Sequence, residues 1–431
     1  MSGRLPPPRP GAAATVLRFL VDATSAPRTR QALTVLILVV SLASPALQML
    51  LGWPGHIGVV GTLVTLATLS LWGQREEIEW RGVLPISLLA FFGWIALSVV
   101  WSSFTWASVG GISYAFAFAY LAVYIALSRD LIQMVRAAGD ALRGILVTSL
   151  AVEVLSGIVL DVPFGFLSVE GNLAFGGPIQ GVAGTRNYLC FLAGLAVMTF
   201  WIEFRTRSVR RMTSVASLVL AAGTVLLARS PVTLIVLIGI AVAGVALMLV
   251  RRTTPERRAI AQPVLFGIVA LLAAGAWIAR RRILDVVNAG SDLEVRLRLW
   301  NSLRELIDTR PVEGWGWVGR WPVEVFPFSS IRTTTGGQAD SALNALFDAW
   351  FQIGLVGTIL LVVAVGLGFV RAWLVASEFR STVHVWPALT LALLAATSFA
   401  ESYVLAEGGL VLMVVACISA ARKRSWRQKL R

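Results

Sequence analysis

The sequence predicts an all-α integral membrane protein that crosses the bilayer many times, and three of its features indicate this fold. Of its 431 residues, 57% are hydrophobic and only 14% are charged, whereas charged residues make up about a quarter of a soluble domain. The apolar residues gather in runs that reach the roughly 20 residues a helix needs to span a bilayer. One long polar stretch, residues 280–340, separates the last runs from the earlier ones.

Twelve apolar runs predict about 12 transmembrane helices. They lie near residues 32–51, 56–72, 83–101, 108–128, 143–160, 187–204, 212–228, 231–250, 263–279, 342–375, 384–400 and 404–420. The run at 342–375 is longer than a bilayer requires, so its first turns are expected to project from the membrane or to tilt. The chain is expected to divide into a disordered basic N-terminus (1–30), a transmembrane domain (31–421) and a basic tail (422–431).

Arginine and lysine gather on one set of loops, which predicts the orientation of the protein. The loops at 205–211 and 251–258 and the tail at 422–431 are rich in them, and twelve spans put all three on the side of the N-terminus. The positive-inside bias assigns that side to the cytoplasm and the 280–340 loop to the opposite face. The net charge of +14 is therefore interpreted as a topology signal, and no nucleic-acid partner is expected.

The composition argues against several kinds of site. Cys190 and Cys417 lie inside apolar runs, and His56 and His384 are far apart in the sequence. These positions predict neither a metal site nor a disulfide framework. The sequence also lacks a P-loop or another glycine-rich nucleotide-binding turn, so no cofactor is expected and ATP-driven transport by this chain alone is excluded.

The outer loop is expected to contain one amphipathic helix, running from Asp292 to about Thr309. Ser291 and Glu294 have the spacing of a capping box, which marks a helix start. Four residues at helical spacing predict its apolar face: Leu293, Leu297, Trp300 and Ile307. A helix of this kind is expected to lie on the outer surface of the membrane domain.

Arg229 is a candidate for binding an anion at a membrane edge. It ends an apolar run and precedes Ser230 and Pro231, which are expected to cap and start the next helix. A guanidinium beside a helix N-terminus suits a diphosphate, because its planar fork binds phosphate oxygens bidentately. The alternative is an arginine that snorkels from a helix end and binds nothing.

Other charged residues leave two interpretations open. Arg296 and Arg298 are two positions apart on the outer helix, so one is expected to face inward and the other water, unless both belong to an ordinary solvated face. Asp348 and Glu401 lie near the outer ends of their spans, where an ionisable group usually faces a cavity or a partner. Either could take a proton from an acceptor hydroxyl, or simply pair with an arginine.

The outer loop also contains three closely spaced tryptophans, Trp315, Trp317 and Trp321. Their rings could stack against pyranose faces of a glycan. Equally, they could form the aromatic belt that membrane proteins place at the bilayer interface.

Four stretches and a Glu401-Ser402 pair carry a resemblance to a known family. The stretches are Gln180-Gly-Val-Ala-Gly-Thr-Arg-Asn-Tyr188, Ala228-Arg229-Ser230, Arg296-x-x-x-Trp300 followed by Pro311-x-x-Gly-x-Gly316, and Asn344-Ala-Leu-Phe-Asp-Ala-Trp-Phe-Gln-Ile-Gly-Leu-Val-Gly357. Together, over about residues 180–410, they resemble the O-antigen ligase and O-antigen polymerase family of bacterial membrane glycosyltransferases. The resemblance implies a location in the cytoplasmic (inner) membrane of a bacterium, with the active face outside.

The resemblance implies roles for individual residues. Arg229, Arg296 and, more weakly, Arg186 inherit the binding of a polyprenyl-diphosphate-linked glycan donor. The glycan is expected to contact Trp300, Trp315, Trp317 and Asn344. Leu343 stands where the family has a histidine before the asparagine, and Ser341 occupies an alternative histidine position. The catalytic residues are therefore expected to be Asp340 or Glu401 as base, with Arg296.

The predicted activity is metal-independent transfer of a glycan from the lipid-linked donor to an acceptor hydroxyl of an envelope glycan or lipid, at the surface of the lipid bilayer. The acceptor would be another repeat for a polymerase or a different anchor for a ligase. Two alternatives remain open. One is a lipid-linked oligosaccharide flippase or polysaccharide exporter, and the other is an inactive scaffold of an envelope-glycan assembly, which the missing histidine would allow.

Overall fold

The computed structural model describes residues 12–76, 78, 84–278, 290–322, 324–334 and 340–423. The chain in these ranges is helical, and it forms no strand beyond one isolated bridge between Phe164 and Val169. The predicted all-α class is therefore confirmed. The connection at 279–289 and the ends of the chain, 1–11 and 424–431, lie outside the described residues.

Fifteen α-helices are described along these ranges. They are α1 Ala12–Ser25, α2 Pro27–Leu42, α3 Ser44–Gly73, α4 Ile86–Leu97, α5 Thr105–Ser128, α6 Leu131–Val154, α7 Arg186–Thr206, α8 Arg211–Ala228, α9 Pro231–Arg252, α10 Pro255–Ile278, α11 Gly290–Thr309, α12 Phe328–Thr334, α13 Ala345–Glu378, α14 Val385–Thr397 and α15 Glu407–Lys423.

Seven of the described helices are long and apolar enough to cross a membrane, and two shorter apolar helices cover Ile86–Val100 and Thr382–Thr397. The expected number of about 12 spans is therefore not confirmed over the described residues. One reason for the smaller number is α3, which runs through the predicted boundary between the first two spans, 32–51 and 56–72. Gly52 has a φ of 66° there, so the helix kinks without ending where a loop was expected.

The N-terminal segment differs from the prediction. Residues 12–30, expected to be disordered, belong to α1 and α2. The proline-rich stretch at 6–10 lies outside the described residues, and Pro27 starts α2, where a proline suits the first turn. α1 packs against α3, and the Ser70 hydroxyl donates to the Thr24 carbonyl at 3.0 Å. The predicted basic tail begins as the last turn of α15, and only 422–423 of it is described.

α7 lies at the centre of the bundle and α8 and α9 lie at its edge. Most of the α7 span is buried, at 78%, against 28% for the α8 span and 22% for the α9 span. α7 packs most extensively on α8 and also contacts α6, α9 and α14. The start of α7 is consequently surrounded by protein, while α8 and α9 expose apolar side chains on the outside of the bundle.

The outer region is a separate small core built on α11. Its largest buried residues come from three segments of the chain: Leu299, Leu303, Ile307, Trp321, Phe328 and Phe351. The predicted helix is confirmed, although it begins at Gly290 rather than Asp292. Its predicted apolar face needs correction, because Leu297 is 45% exposed. The buried stripe consists of Arg296, Leu299, Leu303 and Ile307, so it keeps Ile307 of the predicted face and includes Arg296.

α13 joins the outer region to the bundle, and it bends where it does so. Gly354 has a φ of 68° inside this 34-residue helix. A β-carbon built on Gly354 would overlap the carbonyl of Val312 in the loop after α11. The backbone amides of Trp315 and Gly316 donate to the carbonyls of Phe351 and Gln352, at 3.0 and 2.8 Å. The first turns of α13 thus belong to the outer core, as the over-long run predicted.

Substitution of Gly354 tests this junction. We expect Gly354→Ala to lower the free energy of unfolding by at least about 1–3 kcal/mol, because its left-handed backbone disfavours a side chain and the β-carbon overlaps Val312. Gly366→Ala is the matched control in the same helix, since a β-carbon there meets open space. It should be neutral or stabilising. Thermal unfolding in detergent measures both, and equal effects would contradict the packing of α13 on the loop.

Candidate functional site

The first part of the site is the N-terminus of α7. Thr185 caps this helix, and its side chain accepts from the backbone amide of Tyr188 at 3.2 Å. Glu153 of α6 holds the preceding turn, because its carboxylate accepts from the amides of Gln180 and Gly181 at 2.9 and 2.8 Å. Arg186 and the first amides of α7 therefore have a fixed position.

A second helix N-terminus meets the first one. Ser230 caps α9 with its side chain and Pro231 follows it, as the sequence predicted. The Ser230 hydroxyl also donates to the side-chain oxygen of Asn187 at 2.8 Å. Because Asn187 is the second residue of α7, this bond ties the starts of α7 and α9 together.

A buried ion pair connects these two helices to the outer region. The side-chain amide of Asn187 donates to Glu401 Oε1 at 2.8 Å, and Arg296 Nη2 donates to the same oxygen at 2.9 Å. Arg296 and Glu401 side chains are each only 8% exposed. Arg296 Nη1 donates in addition to the carbonyls of Leu343, at 3.0 Å, and Ala400. This arginine thus joins α11 to the segments before α13 and α15.

The third helix N-terminus belongs to α13. Asn344 caps it by accepting from the amides of Leu346 and Phe347, at 2.9 and 3.2 Å, and its own amide donates to Phe399. The expectation that Asn344 contacts a glycan needs correction, since its side chain is buried and occupied by these bonds. Leu343, at the position of the family histidine, has a φ of 49° and presents its carbonyl to Arg296.

An open hollow of about 470 Å³ lies against this network. We call it the arginine hollow, and its polar lining consists of Glu170, Gln180, Thr185, Arg186, Asn187, Arg296 and Glu401. The N-terminus of α7 opens into it, so a helix end with its partial positive charge and two arginines face one space. That combination attracts an anion with several oxygens.

A second cavity, of about 230 Å³, adjoins the first. We call it the carboxylate cavity, because four acidic residues line it: Asp340, Asp348, Glu401 and Glu407. Thr185, Leu343 and Glu401 line both spaces and form their shared wall. A molecule in each space would therefore meet the other at this wall.

Arg320 holds the far side of the carboxylate cavity. Its Nε lies 3.3 Å from Glu407 Oε1, and its Nη1 lies 3.8 Å from Asp340 Oδ2. Tyr114 donates to the same Glu407 oxygen at 3.0 Å. The Glu407 carboxylate raises the pKa of the Arg320 guanidinium, so Arg320 stays charged at any physiological pH.

Burial also affects the pKa of Glu401. Removal from water raises the pKa of this carboxyl, while the Arg296 guanidinium and the Asn187 amide act in the opposite direction. Within the arginine hollow, Glu401 and Glu170 offset the charges of Arg296 and Arg186. Because these charges balance, net attraction of an anion depends on the partial positive charge at the start of α7 and on Arg229 nearby, while Arg186 contributes hydrogen-bond donors.

The predicted donor-binding arginines do not all share this space. Arg186 and Arg296 line the arginine hollow, but Arg229 does not. Arg229 is exposed, and its Nη2 is 3.3 Å from a β-carbon built on Gly176. Gly176 is two residues before Pro178, which lines the hollow. Arg229 therefore stands beside the loop that forms one wall, at the rim. Of the pair on α11, Arg296 faces inward and Arg298 faces water, as expected.

The candidate carboxylates take different positions. The Asp340 side chain is 59% exposed at the mouth of the carboxylate cavity, whereas Glu401 is buried in the shared wall and paired with Arg296. Asp348 makes no ion pair among the described contacts. Its carboxylate accepts from Trp321 and Gln352, at 3.0 and 2.8 Å, which gives it a place in the outer core.

The tryptophans expected near the glycan differ in their exposure. Trp317 is 1% exposed and Trp321 is 3% exposed, so neither ring offers a face to a sugar. The expected glycan contact of Trp317 therefore needs correction. Trp300 and Trp315 are half-buried. Trp300 stacks on Phe347 with its ring planes 4° apart, and Trp315 lies under the Arg310 guanidinium.

Sequence reasoning missed Asn187 and Arg320 as parts of the site, whereas Glu407 was expected, like other ionisable groups beside apolar runs, to face a cavity or a partner. Asn187 belongs to the stretch Gln180–Tyr188, which carries part of the family resemblance. A polar residue in the first turn of an apolar helix was the signal that could have identified it. Arg320 and Glu407 come together from segments far apart in the chain, so no local spacing could have revealed them. No group of three His, Cys, Asp or Glu side chains in the described ranges could hold a metal ion.

The ion pair can be tested by substitution. Arg296→Met and Glu401→Gln should each cost about 3–5 kcal/mol of unfolding free energy, since each leaves a buried partner without its counter-charge. The double variant should lose less than the sum of the two, because no lone charge remains. Thermal unfolding of the four proteins in detergent gives the coupling, with Arg298→Met on the exposed face of α11 as control. Additive losses would show that the two groups are not coupled.

Comparison with known proteins gives one match. No curated protein matches the chain. Residues 216–362, however, match the family model described as O-antigen ligase. This segment runs from α8 through α11 to the first half of α13, and it contains Ser230 and Arg296, while Arg186 and Glu401 lie outside it. Over residues 216–362, the chain is therefore similar to the O-antigen ligase family.

Proposed function

We propose that the protein transfers a glycan from a polyprenyl-diphosphate donor to an acceptor hydroxyl on the outer face of the cytoplasmic membrane, without a metal ion. The observation that carries this proposal is the shared wall between the two spaces. An anion-binding hollow and a cavity lined by carboxylates meet at Thr185, Leu343 and Glu401. The match of residues 216–362 to the O-antigen ligase family model supports a transferase of this kind.

The donor diphosphate is proposed to bind in the arginine hollow. Arg186 and the amides at the start of α7 face this space, and a helix N-terminus binds phosphate oxygens through free N–H groups and its dipole. The terminal nitrogens of Arg296 already donate to Glu401, Leu343 and Ala400. It therefore acts mainly by holding the wall in place and adding charge, while Arg229 at the rim would meet the outer phosphate.

The chemical step follows from this placement. The acceptor oxygen attacks the anomeric carbon of the donor sugar, and its proton passes to a carboxylate. The bond between that carbon and the diphosphate oxygen breaks, and polyprenyl diphosphate leaves with the electron pair. Fixed positive groups around the leaving diphosphate stabilise the charge that develops there, which lowers the barrier without a later reorganisation.

Asp340 fits the role of the base better than Glu401. Its carboxylate lies at the mouth of the carboxylate cavity, exposed to an incoming acceptor, with Arg320 at 3.8 Å to orient it. Glu401 Oε1 is already occupied by Arg296 and Asn187. We assign Asp340 to proton transfer and Glu401 to positioning of the wall. The half-buried Trp300 and Trp315 remain candidate contacts for the glycan.

Removal of the Arg186 guanidinium should abolish most of the activity. We expect Arg186→Ala to reduce transfer by roughly 100-fold, the usual effect of losing one group that stabilises the leaving charge. Arg298→Ala removes an equal charge from the exposed face of α11 and should leave activity unchanged. Envelope glycans are analysed by gel, with protein amounts checked by immunoblot. A lost long-chain ladder indicates polymerisation, and accumulated full-length lipid-linked chains indicate ligation. Unchanged glycans in Arg186→Ala at normal protein level would refute the proposal.

The proposed roles of Asp340 and Glu401 can be distinguished by the effects of their substitutions on activity and stability. Asp340→Asn should lower the transfer rate by about 100-fold or more while thermal stability stays at the wild-type value, since the side chain is exposed. Glu401→Gln should lower both activity and stability. The measurements are transfer by purified protein with a lipid-linked donor and thermal unfolding of the same samples. Full activity of Asp340→Asn would remove Asp340 from the mechanism.

A further inference from the structure

We propose that the protein binds an anionic phospholipid at the end of the bundle opposite the arginine hollow. The head-group phosphate would sit between α7 and α8, and one acyl chain would lie in an apolar groove along α7, α8 and α9. This site is separate from the proposed glycan transfer. α7 starts in the arginine hollow and ends 21 residues later near the lipid site, and such a helix is about 30 Å long.

The head-group part is a basic pocket of about 450 Å³. It is lined by Phe204, Arg205, Arg207, Val209, Arg211 and Ser214. Three guanidinium groups thus face one space, and the residues lining it include no acid to offset them. Arginine forks suit the oxygens of a phosphodiester, and basic pockets between transmembrane helices are known to take lipid phosphates.

The start of α8 adds backbone donors to this pocket. Arg210 stands at its N-cap, and no side chain caps the first amides. A helix start without a side-chain cap has free N–H groups that an anion can accept from. Arg211, the first residue of α8, lies over the Phe204 ring at 5.9 Å, which keeps its guanidinium at the pocket wall.

A buried hydroxyl among the lining residues indicates that the pocket has an occupant. Ser214 is fully buried and lines the pocket, yet its Oγ has no hydrogen-bond partner. The Oγ of Ser208, in the turn between α7 and α8, is buried and unpaired as well. A buried polar group without a partner costs about 1–3 kcal/mol. A phosphate oxygen accepting from Ser214 would remove that cost.

The occupant is identified as a lipid by the groove that continues from the pocket. This groove measures about 730 Å³, and its lining is apolar except for Arg252 at the end of α9. α7 lines the groove with Gly194, Val197, Met198 and Trp201. One turn further on, it lines the pocket with Phe204 and Arg205. On α8 the pocket is lined by Arg211 and Ser214, and the groove by Leu218, Ala222, Val225 and Leu226. These positions recur every three or four residues, so pocket and groove follow one face of each helix.

The location also suits a lipid of the inner leaflet. Met212 and Val219 of α8 are 84% and 68% exposed, which places this helix against the acyl chains of a bilayer. The arginine-rich turn at 205–211 marks the cytoplasmic side by the positive-inside bias. Anionic lipids at that surface attract basic groups. A soluble phosphate could fill the pocket, but it would leave the groove without an occupant.

The test is native mass spectrometry of the full chain released from detergent, with phosphatidylglycerol, phosphatidylcholine or inorganic phosphate added. We expect one phosphatidylglycerol to stay bound at concentrations where phosphatidylcholine does not. The variant Arg205→Gln/Arg207→Gln/Arg211→Gln should weaken that binding at least tenfold. The control Arg136→Gln/Arg257→Gln/Arg380→Gln removes three exposed charges that do not line the pocket, and it should bind as the wild type does.

A groove variant separates the possible ligands. Ala222→Trp fills the groove without touching the basic pocket, so it should reduce retention of phosphatidylglycerol and leave any binding of inorganic phosphate unchanged. Equal retention of phosphatidylglycerol and phosphatidylcholine would mean ordinary annular lipid and would overturn the proposal. So would phosphatidylglycerol binding that survives both the triple arginine variant and Ala222→Trp, or a pocket that takes only inorganic phosphate.

Discussion

The buried ion pair between Arg296 and Glu401 is the interaction on which the site depends. It lies where α11 of the outer region meets the membrane bundle, and Asn187 shares the same carboxylate oxygen. Through Asn187 and Ser230 the pair reaches the starts of α7 and α9, and through the Leu343 carbonyl it reaches the start of α13. A buried charge pair is seldom a net source of stability. Here it fixes the relative positions of three helix ends.

That arrangement supports the proposal that the apolar bundle holds the charged head group of a lipid-linked donor. Each helix N-terminus carries a partial positive charge, and the first amides that its cap does not occupy can bind an anion. α7, α9 and α13 are capped by Thr185, Ser230 and Asn344, so their first turns are rigid before any ligand arrives. The arginine hollow opens beside these ends, and the carboxylate cavity opens behind the same wall. The two reacting groups would therefore approach each other from two sides of Glu401.

The sequence allowed much of this to be predicted, but only where the signal was local. Hydropathy identified the long helices, and the Ser230-Pro231 start of α9 and the inward Arg296 followed from capping and helical spacing. Pairing of Glu401 with an arginine was one of two open interpretations, but the sequence could not identify Arg296 as the partner, because the residues are 105 positions apart. The exclusion of Arg229 from the hollow depends on the path of the loop at Gly176. Burial of Trp317 and Asn344 likewise results from tertiary packing that short-range patterns do not record.

The central claim is that the arginine hollow binds the diphosphate of a polyprenyl lipid. A photoreactive amino acid at Val295, which lines the hollow and is 43% exposed, tests it most directly. The same residue at Val219, on the membrane-facing side of α8, is the control. The account predicts that Val295 crosslinks to labelled polyprenyl diphosphate and that an excess of unlabelled diphosphate suppresses this crosslink, while Val219 shows only weak labelling that excess ligand does not affect. Equal and unsuppressed labelling at both positions would contradict it.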